Sequence, residues 1–170
     1  MRVIKTFDSK DYDPSWPKFA RHSARGIIFI QGKILLVQSE KYGECKFPGG
    51  GIKKGETKTA AMMREVREEA GMIVIPSTIQ PYGVTHIVQK SYKQDKIFHQ
   101  NSYYYTCQID PDLTTAPTPE RGYETNYAYR PVLMTLAEAI EQNKSRLHMP
   151  QIPWVERDTT VMLDLIASGL

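Results

Sequence analysis

The stretch from residue 41 to residue 71 constrains this chain more than any other. It runs KYGECKFPGGGIKKGE and then opens a helix over 57–70, which Gly71 stops in the C′ position. Three consecutive glycines after a proline serve a backbone that must bend sharply or approach another group closely. Within the helix, Arg64-Glu65-Val66-Arg67-Glu68-Glu69 places three carboxylates three and four residues apart, so Glu65, Glu68 and Glu69 share one face. At roughly 100° per residue, Met63, Val66 and Ala70 fall together on the opposite side. Ala61 falls under the carboxylates, where a small residue leaves room. The helix thus has a core face and an acid face.

The acid face breaks local rules. Like charges at i,i+4 destabilise a helix by about 0.2–0.5 kcal/mol per pair. The cluster also lies in the last turns, where the helix dipole disfavours anions by a further ~0.3–1 kcal/mol. Sequences break such rules mostly at functional sites, and a divalent cation would reverse the sign of the problem. Mg2+ and Mn2+ take hard oxygen ligands and are held by a few carboxylates together with substrate phosphates. The competing reading is a solvated face with Arg64 and Glu68 as an ordinary i,i+4 ion pair. The helix alone does not decide between them.

Around this segment the pattern is that of one mixed domain. Residues 1–20 read as an irregular lead-in, since DYDPSWPK holds two prolines, and residues 21–170 read as a single domain. Aliphatic runs at 26–30 and 34–37 flank Gln31-Gly32 and predict a β-hairpin. Strands are expected at 72–75, 83–88 and 98–109, with a polar hairpin tip at 89–96. Residues 110–125, with Pro111, Pro117 and Pro119, read as a long functional loop. Thr135 and Glu138 form a capping box that opens a helix to about residue 143, and 158–167 has the spacing of an amphipathic helix.

At 170 residues, with 41% hydrophobic and 24% charged residues, the chain can bury a core without staples. A net charge of +3 suits a polyanionic small molecule and is too weak to indicate a nucleic-acid polymer as partner. Cys45 and Cys107 lack metal-type spacing and suit a reducing interior. No apolar run is long enough for a bilayer, so no membrane partner is expected and a soluble, cytoplasmic protein is.

From Gly50 the sequence reads G, five residues, E, seven residues, then REVREEAGM. This resembles the box of the Nudix hydrolases, with Gly50, Glu56, Arg64, Glu65, Glu68, Glu69 and Gly71 at its fixed positions. Met72 stands where an aliphatic residue is usual. The resemblance implies an α/β (α+β) fold, an α/β/α sandwich with a mixed sheet. It also implies a metal-dependent cleavage of a diphosphate linkage using Mg2+ or Mn2+, two or more ions when substrate is bound. Carried over, Glu65, Glu68 and Glu69 would be the metal carboxylates, and the Gly49 carbonyl a further ligand. Arg64 would orient the carboxylates and Glu56 would hold the loop against the helix. Glu65, Glu68 and Arg64 would be catalytic, joined by a glutamate from the 110–125 loop, for which Glu124 is favoured over Glu120. A plain surface glutamate is the alternative.

Substrate contacts are expected from Arg25, Phe47 and Tyr103. Phe29, Tyr82, Phe98, Tyr104 and Tyr105 are further stacking candidates that fit a core equally well. Arg21, Lys90 and Lys93 could meet phosphate, and His86 or His99 could move a proton, although ordinary surface or structural roles suit them too. The first choice of substrate is a (deoxy)nucleoside triphosphate, including oxidised ones, and the alternative is ADP-ribose or another nucleotide sugar. A non-catalytic nucleotide-sensing domain and a diphosphate isomerase are readings of other classes. A homodimer is left open.

Overall fold

The computed structural model describes residues 1–117, 128–150 and 152–170. The strands are β1 (Val3–Asp8), β2 (Lys18–Ile27), β3 (Phe29–Ile30), β4 (Lys33–Ser39), β5 (Cys45–Lys46), β6 (Gly49–Gly51), β7 (Met72–Val74), β8 (Gln80–Lys90), β9 (Ile97–Thr106), β10 (Ile109–Thr114) and β11 (Tyr129–Met134). The helices are α1 (Lys58–Ala70), α2 (Leu136–Lys144) and α3 (Trp154–Ala167). A five-stranded sheet has the order β1-β8-β9-β2-β6. Its β1/β8 and β2/β9 pairs are parallel and its β8/β9 and β2/β6 pairs antiparallel, so the sheet is mixed. In a second sheet β4 pairs with β11, β3 and β5, and β7 pairs with β10 apart from both.

Alternation along the strands divides the core into two layers. Ile27, Ile34, Leu36 and Tyr104 pack with Leu136 and Ile140 of α2 and with Val161, Met162 and Leu165 of α3. Their neighbours Ala24, Ile28, Leu35 and Tyr105 pack instead with Ala61, Met62, Val66 and Ala70 of α1. Helices therefore cover both faces, which gives the α/β/α sandwich. The expected core side of α1 is in place, with Met63 packed at its margin. Gly71 ends α1 at φ 69°, and Thr135 and Glu138 form both hydrogen bonds of a capping box.

Several expectations need correction. Residues 1–20 are not an irregular lead-in, because β1 and the start of β2 lie there. β1 is a sheet edge that needs one half-buried row, Ile4 and Phe7, and its charged residues hid it from pattern reading. The run at 26–30 is shared between sheets: Ile27 ends β2, while Phe29 and Ile30 begin the hairpin with β4. The glycine-rich loop contains β5 and β6, and Ile109–Thr114 pairs with β7 despite Pro111, across an irregular register. A proline is tolerated where the ladder is interrupted. α3 starts at Trp154, one turn before the expected 158. No helix among the described residues is long and apolar enough to cross a membrane.

The two-residue β5 is secured by a side chain rather than by a ladder. Asn143 at the end of α2 accepts from the Cys45 amide at 2.9 Å and donates to the Cys45 carbonyl at 2.9 Å. It also donates to Thr159 on α3 at 3.1 Å, and it is fully buried. Asn143→Ala is expected to orphan both Cys45 groups and cost about 2–3 kcal/mol. Urea unfolding checks this, and a midpoint equal to wild type would show that β5 does not depend on Asn143.

Candidate active site

α1 presents its acid face to the loop that precedes it, and Arg64 ties the two together. Its Nε and Nη2 form a forked pair with the two Glu56 oxygens, at 2.9 and 3.0 Å. Nη1 donates to Glu65 at 2.6 Å and Glu68 at 3.0 Å, and Nη2 also donates to the Gly51 carbonyl at 3.0 Å. Only a planar guanidinium can serve these acceptors together. The Lys53 amide also donates to Glu56 at 3.0 Å, which closes the loop onto the helix. Arg64 holds the Glu56 carboxyl down at about 2.

Glu69 turns inward from the end of the same face. It is buried, accepts from Lys46 Nζ at 3.0 Å and takes the Gly49 amide at 2.7 Å. Burial pushes the Glu65 carboxyl above its ordinary value; Glu69 and Glu68 push the same way, against Arg64. β6 fits between β2 and α1 because it lacks side chains. A Cβ on Gly49, at φ 149°, would lie 2.3 Å from the Ala24 carbonyl oxygen, and one on Gly50 would lie 2.6 Å from the Glu65 carboxyl.

Each of the three carboxylates is thus engaged by a cation of the chain itself. Among the described residues, no three His, Cys, Asp or Glu side chains are arranged as a metal would need. The donor chemistry nevertheless fits a hard divalent cation. Glu65, Glu68 and Glu69 sit on one helix face, the Gly50 cradle leaves Glu65 no side chain in front of it, and four carboxylates face two cations.

The expected substrate residues part company. The Phe47 ring is fully buried, edge-on to Tyr104 at 5.6 Å, so it belongs to the core and cannot reach a substrate. Arg25 is also buried, and its Nη1 donates to the Phe47 and Gly49 carbonyls at 3.1 Å each. Tyr103 faces a groove on the other side of β6, with the Lys58 Nζ 3.9 Å from its ring centroid and Lys53 and Lys54 nearby. Glu120 and Glu124 lie outside the described residues.

His86 is occupied by Asn101 at 2.6 Å, Tyr82 by Asp164 at 2.5 Å and Tyr104 by Asp158 at 2.8 Å. Burial pushes the Cys45 and Cys107 thiols up to about 12, which leaves neither suited to proton transfer. Sequence reading missed Lys46 and Arg157. Both line a cavity of about 300 Å³ beside β6, together with Arg21, Arg25, Gln89 and Phe98. No spacing rule marks a lysine before Phe47-Pro48, and Arg157-Asp158 at a helix start looks like solvated charge.

The Glu56–Arg64 pair predicts a pH signature. The folded carboxyl lies at about 2 against an ordinary 4.5, so its stabilising contribution is complete above pH 4.5 and lost as pH falls toward 2. Glu56→Gln should be less stable than wild type at neutral pH, and thermal unfolding should show the gap closing below pH 4.5. A gap that persists at the acid end would assign the loss to packing.

Comparison with known proteins agrees with this architecture. The NUDIX domain family model matches residues 20–157. The CTP pyrophosphohydrolase of Escherichia coli strain K12 is 34% identical over 82 residues, 46% of this chain and 56% of that protein. The 8-oxo-dGDP phosphatase of Mus musculus is 42% identical over 53 residues, 29% of this chain and 16% of that protein. The chain thus spans about half or less of the curated relatives it matches. The MutT NUDIX hydrolase of Burkholderia pseudomallei superposes with a TM-score of 0.54 at 18% identity, covering 71% of this chain and 86% of that one, and so shares its fold. Nudix hydrolases generally use divalent metal ions. With the family model matched over most of its length and the box residues gathered at the junction of β6 and α1, the chain belongs to the Nudix family.

Proposed function

We propose that this chain is a pyrophosphohydrolase, dependent on Mg2+ or Mn2+, that cleaves the diphosphate linkage of a (deoxy)nucleoside triphosphate, oxidised forms included. The observation that carries the reading is the acid face of α1 set against a strand without side chains. Two cations there face four carboxylates, Glu56, Glu65, Glu68 and Glu69, which leaves an excess of negative charge where a polyanion would otherwise be repelled. The substrate class is supported by relatives named CTP pyrophosphohydrolase and 8-oxo-dGDP phosphatase.

Glu65, Glu68 and Glu69, with the Gly49 carbonyl, would hold the ions, two or more with substrate present. Bound divalent ions screen phosphate charge and lower the pKa of water. The chain's own part is positioning. Arg64 fixes the rotamers of Glu65 and Glu68 from behind, and Glu56 fixes Arg64. Lys46 and the Gly49 amide hold Glu69 beside the glycine strand. Such a reaction needs placement and charge neutralisation more than covalent help. Glu124 is the proposed additional carboxylate.

Glu68 is the cleanest site for a test, because its side chain is 41% exposed and its loss should leave the fold intact. Phosphate release from a panel of nucleoside triphosphates should require Mg2+ or Mn2+ and stop with a chelator. Glu68→Gln should lower kcat by at least about 100-fold, and Arg64→Lys should lower kcat/KM by about 10–100-fold. Turnover that ignores the chelator, or a fully active Glu68→Gln, would refute the reading.

A further inference from the structure

Beside β6 the balance of charge is reversed. Arg25 and Arg157 are 6% and 2% exposed, and both line the 300 Å³ cavity. Arg157 takes the two oxygens of Asp158, at 3.3 Å from Nε and 2.9 Å from Nη2. Asp158 also accepts from the Tyr104 hydroxyl at 2.8 Å, and Tyr104 is the register partner of Arg25 across β9 and β2. Burial would raise the Asp158 carboxyl, but Arg157 and Arg25 together hold it below its ordinary value. One buried carboxylate therefore answers two buried guanidinium groups.

Among the described residues, no carboxylate is hydrogen-bonded to Arg25. Its Nη1 meets only the Phe47 and Gly49 carbonyls, and its Nε is buried with no hydrogen-bond partner among the described residues. The other buried cation on this wall, Lys46, is matched by Glu69. Burying a charge without a partner is costly, and such a violation in a cavity wall is a mark of a ligand site. An arginine fork fits the oxygens of a phosphate.

We propose that this cavity is an anion subsite in which Arg25 and Arg157 hold a phosphate of the substrate remote from the bond that is cut. The inference rests on the proposed diphosphate cleavage and narrows it. A substrate with at least three linked phosphoryl groups can span from the acid face to the arginines, because Gly49 and Gly50 line the cavity while lying against Glu69 and Glu65. A nucleotide sugar with two phosphates has no anion left for this subsite.

The test uses the full chain in EDTA, so that no divalent ion contributes, titrated calorimetrically with inorganic tripolyphosphate. Saturable binding is expected, and the Arg25 Nε–H resonance should shift during the titration. Arg25→Lys should weaken binding by about 10-fold or more. Arg157→Met combined with Asp158→Asn, which keeps the buried charge balanced, should weaken it similarly, whereas Lys54→Gln, on the neighbouring groove, should bind as well as wild type. With metal restored, Arg25→Lys should lower kcat/KM for a nucleoside triphosphate about 10-fold more than for ADP-ribose. Absence of binding to the metal-free wild type, or binding by both arginine variants as tight as that of wild type, would overturn the subsite and leave the surface lysines as the anion's partner. Metal-free binding that depends on the arginines in a protein without diphosphatase activity would uphold the subsite and refute the proposed reaction.

Discussion

β6 can lie between β2 and α1 only because two successive residues, Gly49 and Gly50, lack side chains. A Cβ at Gly49 would enter the β2 backbone, and one at Gly50 would enter the Glu65 carboxyl. That approach brings the Gly49 amide onto Glu69 and the Gly51 carbonyl onto Arg64, so strand, helix and loop are fastened by polar groups that a bulkier strand would hold apart. The strand gains little from propensity. Its pairing with Ser23, Ala24 and Arg25 of β2, on a sheet buried under α1, supplies what its own residues cannot.

The same strand separates two departures from neutrality. On the helix side, four carboxylates share Arg64 and Lys46. On the cavity side, two buried arginines share Asp158. Either imbalance alone would be a liability, since a charge removed from water needs a partner of opposite sign. Together they are the charge pattern that the proposed metal-bound polyphosphate would require, with cations on the acid face and oxyanions at the arginines. Arg25 links the two halves, because the Gly49 carbonyl it holds belongs to the loop that presents the acid face.

How much of this was legible depended on the range of the interactions. α1 carried its own start, stop and faces, so Thr57, Gly71, Val66 and the three glutamates could be placed from spacing alone. The capping box at Thr135 was equally local. β1 and β6 were not legible, because an edge strand with one half-buried row and a strand of glycines owe their existence to partners 81 and 26 residues away in register, Val3 to Val84 and Gly50 to Ala24. Phe47 was misread for a related reason. Its neighbours Lys46 and Gly49 do border the site, but alternation along the chain turns the ring into the main core against Tyr104. Arg157 and Asp158 escaped notice because adjacent opposite charges at a helix start ordinarily face water. Only the packing of α3 over Tyr104 encloses them.

Arg64 and Lys46 also bear on how an acid face survives without its ions. Three carboxylates on one face cannot be crowded against a helix C-terminus unsupported, and here the chain supplies its own counterions on both flanks. Arg64 reaches Glu65 and Glu68 from one side through a single nitrogen, and Lys46 reaches Glu69 from the other. Arg64 leaves part of the Glu65 and Glu68 carboxylates uncommitted: each offers it one oxygen, and the Glu68 side chain is 41% exposed. A divalent ion arriving at this face would therefore need neither to displace Arg64 nor to unfold the loop. It would take up the oxygens that the arginine does not use, while the forked Glu56–Arg64 pair keeps the helix and the glycine strand in register. The internal cations thus act as a scaffold for the acid face, and an arginine fork, not a single lysine charge, stands at its centre.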